Sequence, residues 1–141
     1  KDGAKMVQAV SNSTVPKFSI IVGNSYGAGN YAMCGKAYDP RIIVGWHSAK
    51  IAVMGGAQAA KVLLQIQTAN RKDPLTKEEE QTLLADITQR YESQTTPYYA
   101  AARLWLDAII DPLETRQIIS TGIEAANQAP IQKFNVGIIQ T

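Results

Sequence analysis

Short apolar blocks, separated by polar or glycine-rich stretches, divide the chain into elements of two periods. Residues 5–11 have helical composition and stop at the Ser11-Asn12-Ser13-Thr14 cluster, a loop signal. After Pro16, residues 17–22 form a brief β-rich run bounded by Pro16 and Gly23, the mark of a buried strand. That strand feeds the stretch Gly23-Asn24-Ser25-Tyr26-Gly27-Ala28-Gly29, and a short helix over 30–36 begins in it. Residues 41–46 and 50–54 predict two more strands, too short and too β-branched for helices, with a polar turn at His47 and Ser48 between them. Gly55-Gly56 then introduces a helix over 57–70, whose apolar residues 59, 60, 63, 64 and 66 follow helical spacing. Strand, glycines and helix are thus used twice.

Helical signals dominate the second half. Residues 71–75 are a charged connector containing Pro74. Thr76 with Glu79 three residues on forms a capping box for a long polar helix to about residue 92, which is expected to bury little and to project. Pro97 suits the first position of a helix over 98–104, and the apolar stretch 105–110 ends at Asp111-Pro112. Asp111, Pro112 and Glu114 make another N-terminal signature, for a helix to about residue 127. Residues 134–139 are again apolar, and no internal repeat or low-complexity tract appears.

Composition narrows the classes. At 141 residues the chain has the length of one domain. Hydrophobic residues make up 45% and charged residues 18%, enough for a core but a sparse exterior, part of which is expected to be covered by something else. Fourteen Lys and Arg against twelve Asp and Glu leave a net charge of +2, short of what a phosphate backbone demands, so no nucleic-acid partner is expected. One Cys and one His exclude an intramolecular disulfide and a cysteine-rich zinc site, so no metal is expected, and the count fits a reducing compartment. Apolar runs such as 18–22 and 51–54 fall far short of the ~20 residues of a membrane span, so no membrane partner is expected. Lys1-Asp2-Gly3 offers neither an initiator Met nor an apolar signal core and reads as an internal start, which points to a piece of a longer polypeptide.

The glycine-rich turn admits three chemistries. Gly23-Asn24-Ser25-Tyr26-Gly27 fits G-x-S-x-G, the elbow that raises a nucleophilic serine, but the one His is His47, with Asp39 the sole acid between, a poor order for that triad. The same glycines suit a pyrophosphate at a helix start, yet the acid expected about 20 residues on is missing, since 41–71 contains no Asp or Glu. The third chemistry needs no side chain: small residues opening a helix leave backbone N–H groups bare, and two of them aimed at one point stabilise a developing oxyanion. Against all three stands simple tight packing at Gly27, Ala28 and Gly29, which stays open on the residues alone.

The wording of the motifs carries more. Val15-Pro16-Lys17, then Ser25-Tyr26-Gly27-Ala28-Gly29-Asn30-Tyr31-Ala32-Met33-Cys34-Gly35-Lys36-Ala37-Tyr38, resembles the carboxyltransferase (β) subunits of biotin-dependent acyl-CoA carboxylases, the methylcrotonoyl-CoA carboxylase branch above all. Ile51-Ala52-Val53-Met54-Gly55-Gly56, Ala102-Arg103-Leu104-Trp105, Ile109-Ile110-Asp111-Pro112 and Ala129-Pro130-Ile131 continue the resemblance in order along nearly the whole chain. It implies an α/β, crotonase-like (ClpP/crotonase) fold of superhelically arranged ββα units. Residues 1–141 would be a single partial domain, the C-terminal portion of the carboxyltransferase C-domain.

The resemblance also implies a reaction. Carboxyl would pass from carboxybiotin, carried on a partner subunit or domain, to an acyl-CoA such as 3-methylcrotonoyl-CoA, with geranyl-CoA or propionyl-CoA as alternative substrates. The N–H groups of Ala28 and Gly29 would be the catalytic pair on the biotin ureido oxygen, with Tyr26, Gly27, Ala28 and Gly29 as the cofactor-binding stretch. Elsewhere in the family the pair is more often Gly then Ala, and the order here matches the methylcrotonoyl branch. Biotin would be the base, and the enolate's own oxyanion hole would lie in an N-terminal half that also holds most of the acyl-CoA. Expected partners are a biotin carboxylase or biotin carrier subunit and further β subunits in a homo-oligomer, in bacterial cytoplasm or mitochondrial matrix, and the chain alone is expected to be inactive. From another class, a dinucleotide-binding oxidoreductase domain remains the rival. Among the remaining residues, Gly55-Gly56 either expose more N–H groups or pack tightly, Cys34 is a small buried filler, and His47 is a surface residue. Tyr98 and Tyr99 are expected to pack, and the 77–92 helix to be a solvated face or a contact for the biotin carboxylase subunit.

Overall fold

Helix α1 (Asp2–Asn12) leads into two successive strand-strand-helix units. The first is β1 (Phe18–Ile21), β2 (Asn24–Tyr26) and α2 (Gly27–Ala32); a 3-10 turn (Lys36–Tyr38) follows it. The second is β3 (Ile42–Trp46), β4 (Lys50–Ala52) and α3 (Gly56–Ala69). After α4 (Lys77–Ser93) and α5 (Pro97–Ala101) come β5 (Ala108–Ile110), a 3-10 turn (Pro112–Glu114) and α6 (Thr115–Ala126). The structure, a computed structural model, describes residues 1–69, 75–130, 132, 133 and 137. The expected stretch 134–139 lies outside them except for Gly137, as do position 70 and the connector up to 74.

Two parallel sheets organise these units. β3 is the centre of a three-stranded sheet ordered β1-β3-β5, with Phe18 opposite Ile42 and Gly45 opposite Ile109. Its Ile-Ile-Val run suits that place, since a strand covered on both faces needs a continuous apolar sequence. β2 and β4 form a separate parallel pair, with Ser25 opposite Ile51. The backbone therefore steps from the larger sheet to the smaller one twice, through Val22-Gly23 and through His47-Ser48-Ala49. The amide of Lys50 donates to Gly23 O at 3.0 Å and locks the two steps side by side.

The core sits where both sheets meet α5. Ile43, Ile51, Ala100 and Leu106 form its buried cluster, with Ile21, Ala101 and Ile109 packed against it. α6 lies against the other side of the larger sheet: a Cβ on Gly122 would come to 3.0 Å of both Ile42 and Phe18, so only glycine lets the helix approach this closely. Trp46 Nε1 donates to Thr115 Oγ1 at 3.0 Å and pins the end of β3 to the start of α6.

Both capping boxes read from the sequence are present. Glu79 N donates to Thr76 Oγ1 at 3.3 Å while Thr76 N donates to Glu79 Oε2 at 2.9 Å, and Asp111 with Glu114 repeats the arrangement. Three expectations need correction. Asn24–Tyr26 is a strand, not part of a bare turn, because parallel pairing with β4 satisfies a three-residue segment that has no apolar period of its own. The first short helix covers Gly27–Ala32, not 30–36, since the glycine turn itself supplies its first residues. The long polar helix does not project: Ile87 is buried, and the Gly56 site meets Glu92 and Tyr91, so α4 runs back along α3.

Candidate active site

The glycine turn becomes the start of α2 for a local reason. Tyr26 has extended backbone and caps the helix without a side-chain hydrogen bond, so the first turn has nothing on its N–H groups from that residue. Ala28 and Gly29 have no acceptor one turn back inside the helix, and among the described residues no loop carbonyl or side chain takes either amide. Both residues are exposed, and a Cβ placed on Gly29 would meet nothing within 4 Å. The two donors are therefore bare, and no side chain crowds the approach to Gly29. A carbonyl-type oxygen fits such a pair; a bulky group fits as far as these residues are concerned, because Gly-Ala-Gly contributes only one methyl.

Gly27 fixes where the pair points. Its φ is +54°, and a Cβ there would stand 2.7 Å from the main-chain oxygen of Val53. The first glycine turn is thus pressed against the second, and the ring of Tyr26 lies across Gly55, 3.7 Å from where its Cβ would be. Gly55 borders this contact, while Gly56 faces Glu92 and Tyr91 of α4.

The serine-elbow chemistry is not assembled. Ser25 sits within β2, and its Oγ accepts from Asn30 Nδ2 at 2.8 Å. His47 lies instead at the end of β3, with Nδ1 2.8 Å from Tyr98 Oη, and both are exposed. Cys34 is buried as expected. Tyr99 packs, with the Arg103 guanidinium 3.3 Å over its ring and Trp105 edge-on to it at 6.1 Å. Among the described residues no group of three or more His, Cys, Asp or Glu is placed to hold a metal, and no helix is long and apolar enough to cross a membrane.

A cleft of about 460 Å³ opens beside α2, lined by Gly27, Asn30 and Tyr31 and by Tyr91, Tyr99 and Trp105. Lys36 reaches it, held by Asp107: Lys36 Nζ to Asp107 Oδ1 is 2.9 Å, while Asp107 Oδ2 accepts from the Ile43 amide at 2.9 Å. Partial desolvation works to raise the Asp107 pKa, but the hydrogen bonds from Lys36 and Ile43, with the Lys36 charge, outweigh it and keep the carboxyl below its ordinary 3.8. Sequence reasoning missed Lys36 and Asp107 as partners. They lie 71 positions apart, and no local signal joins them.

Comparison with known proteins places the chain in a family. The model of the carboxyl transferase domain family matches residues 1–136. The probable mitochondrial methylcrotonoyl-CoA carboxylase beta chain of Drosophila melanogaster is 48% identical over 143 residues, which cover 99% of this chain and 25% of that relative. The beta subunit of P. aeruginosa geranyl-CoA carboxylase superposes with a TM-score of 0.79 at 40% identity, over 99% of this chain and 30% of that one. A transcarboxylase 12S structure, described as a hexamer assembly, gives 0.77 at 34% identity over 93% of this chain and 24% of its own. The chain spans about a quarter of the length of the curated relatives it matches. Parallel sheets built from paired strand-strand-helix units, the fold shared with these structures and the match across 1–136 have one meaning: this chain belongs to the carboxyl transferase domain family, with its crotonase-like α/β fold.

Proposed function

We propose that residues 1–141 are the C-terminal portion of the C-domain of a biotin-dependent acyl-CoA carboxyltransferase, and that the amides of Ala28 and Gly29 hold the ureido oxygen of biotin as negative charge gathers on it. The observation that carries the reading is the pair of exposed donors without internal acceptors at the start of α2. Gly27 orients them through its left-handed backbone, and Tyr26 backs the turn by packing on Gly55. Fixed donors of this kind need no reorganisation as charge develops, which is why one of them is typically worth about 3 to 4 kcal/mol of transition-state stabilisation. Biotin, carried on a partner subunit or domain, supplies the transferable carboxyl group and the base that deprotonates the acyl-CoA.

The preferred substrate in this reading is a branched unsaturated acyl-CoA such as 3-methylcrotonoyl-CoA, supported by 48% identity to a methylcrotonoyl-CoA carboxylase chain against 40% to the geranyl-CoA enzyme. Partners are a biotin carboxylase or carrier subunit and further β subunits. Val53 and Leu104, each 77% exposed, and Leu113, 92% exposed, are apolar surface that such partners would cover. The setting is mitochondrial matrix or bacterial cytoplasm.

Ala28→Pro in the intact protein removes one donor, and proline is tolerated in the first turn of a helix. The expected outcome is a loss of carboxyl transfer of about a hundredfold or more with acyl-CoA affinity unchanged. An unaltered transfer rate in a folded variant refutes the assignment. Titration with a reduced nicotinamide dinucleotide separates the rival oxidoreductase class: saturable binding favours that class, and no binding favours this one.

A further inference from the structure

The cleft beside α2 has a composition that the amide pair does not use. Part of its lining is aromatic and held in place: Tyr99 lies between the Arg103 guanidinium on one face and Trp105 at its edge. The Tyr91 hydroxyl accepts from the Met54 amide at 3.2 Å, which fixes that ring as well. Val53 and Ile21 add aliphatic surface. Among the described residues lining the cleft, Lys36 is the one with a formal charge.

Lys36 is also prepared for a ligand. An ammonium has three N–H donors, and the contact to Asp107 uses one. Among the described residues no second acceptor takes the other two. Asp107 is itself anchored to β3 through its bond from the Ile43 amide and through its own amide, which donates to Ile43 O at 2.8 Å. The ammonium, half exposed, is thus tethered through Asp107 to β3, which lowers the entropy lost when an anion binds it.

We infer that this cleft binds a small amphipathic carboxylate, its flat apolar body against Tyr99 and Trp105 and its carboxylate on the free N–H groups of Lys36. A volume of about 460 Å³ lies within the range of small-molecule pockets, and an apolar wall with one convergent charge is their usual makeup. Two sources carry this chemistry. One is a free carboxylic acid; the other, in a clause that rests on the carboxyl-transfer reading, is the carboxylated acyl thioester that the reaction forms.

Isothermal titration of the intact protein with trans-cinnamate, and with cinnamyl alcohol as its uncharged counterpart, tests the inference. Cinnamate is expected to bind saturably and the alcohol about tenfold or more weakly, as for loss of a charge-assisted hydrogen bond. Lys36→Met should bring cinnamate down to the alcohol's affinity without moving the alcohol, and Lys36→Arg should restore most of the difference. Equal affinities for the two ligands, no cinnamate binding, or indifference to Lys36→Met in a protein with unchanged circular dichroism would each overturn the site. Competition between cinnamate and a carboxylated acyl-CoA identifies the thioester as occupant, and its absence identifies a free acid. Ala28→Pro separates the two claims: it should abolish transfer while leaving cinnamate affinity intact, so either can fail while the other stands.

Discussion

Gly27→Ala places a methyl where the fold has left no room. The left-handed backbone at φ +54° costs an L-residue about 1 to 2 kcal/mol. The added Cβ would also stand 2.7 Å from Val53 O, a main-chain atom that yields only if the chain after β4 moves. Overpacking of that kind typically costs about 1 to 3 kcal/mol, so the variant should lose about 2 to 5 kcal/mol in all. Gly29→Ala is the control, two residues away in the same helix: its φ is not left-handed, its Cβ meets nothing within 4 Å, and alanine is the better helix former by up to about 1 kcal/mol. Urea unfolding followed by far-ultraviolet circular dichroism measures both, with equal slopes required for the comparison. Gly27→Ala should also slow carboxyl transfer wherever it still folds, because the shifted turn re-aims the next two amides. If the two variants differ by less than about 0.5 kcal/mol, the close approach of the two glycine turns is not the constraint described above.

Leu104 has φ +59° where Leu104 N donates to Ala101 O and Trp105 N to Ala100 O, a Schellman closure of the α5 segment that glycine fits better. Because the side chain is 77% exposed, Leu104→Gly should raise stability by about 1 kcal/mol, read from the urea midpoint. The lowered pKa of Asp107 gives a stabilisation that is fully present above the unfolded value near 3.8 and is lost as pH falls through the lower folded value. The melting-temperature gap between wild type and Asp107→Asn should therefore be full well above pH 3.8 and narrow steadily as the pH is taken below it; a gap independent of pH contradicts the pairing. Ser25→Ala removes the acceptor of the Asn30 amide and should cost about 1 kcal/mol of stability while sparing carboxyl transfer. A catalytic loss beyond that of destabilisation would reinstate a chemical role for the serine.

What was legible in the sequence was what is local. Thr76 with Glu79 and Asp111 with Glu114 each span three residues, and both boxes form as read. The Ile-Ile-Val run of β3 announced a buried strand through composition alone. The bare amides at Ala28 and Gly29 were also legible, since they follow from small residues at a strand-to-helix junction. Illegible features depend on partners far along the chain. Asn24-Ser25-Tyr26 becomes a strand only against Lys50-Ile51-Ala52, and Ala108–Ile110 becomes one only beside β3. The polar α4 lies along α3 with Ile87 buried and Tyr91 beside Gly56, a tertiary arrangement that its charged composition conceals. The aromatic cleft joins side chains from 21 to 105, which no motif spans.

The obstacle facing Gly27 is the carbonyl of Val53, not its side chain. A genetic consequence follows: no replacement of Val53 can relieve a bulkier residue at 27, so compensatory changes should not appear there. Second-site suppressors would have to redirect the main chain itself, at the Gly55-Gly56 pair or in the Tyr91 hydroxyl's hold on the Met54 amide. The turn's tolerance to mutation is therefore governed by the main-chain path after β4, not by the side chain that faces it.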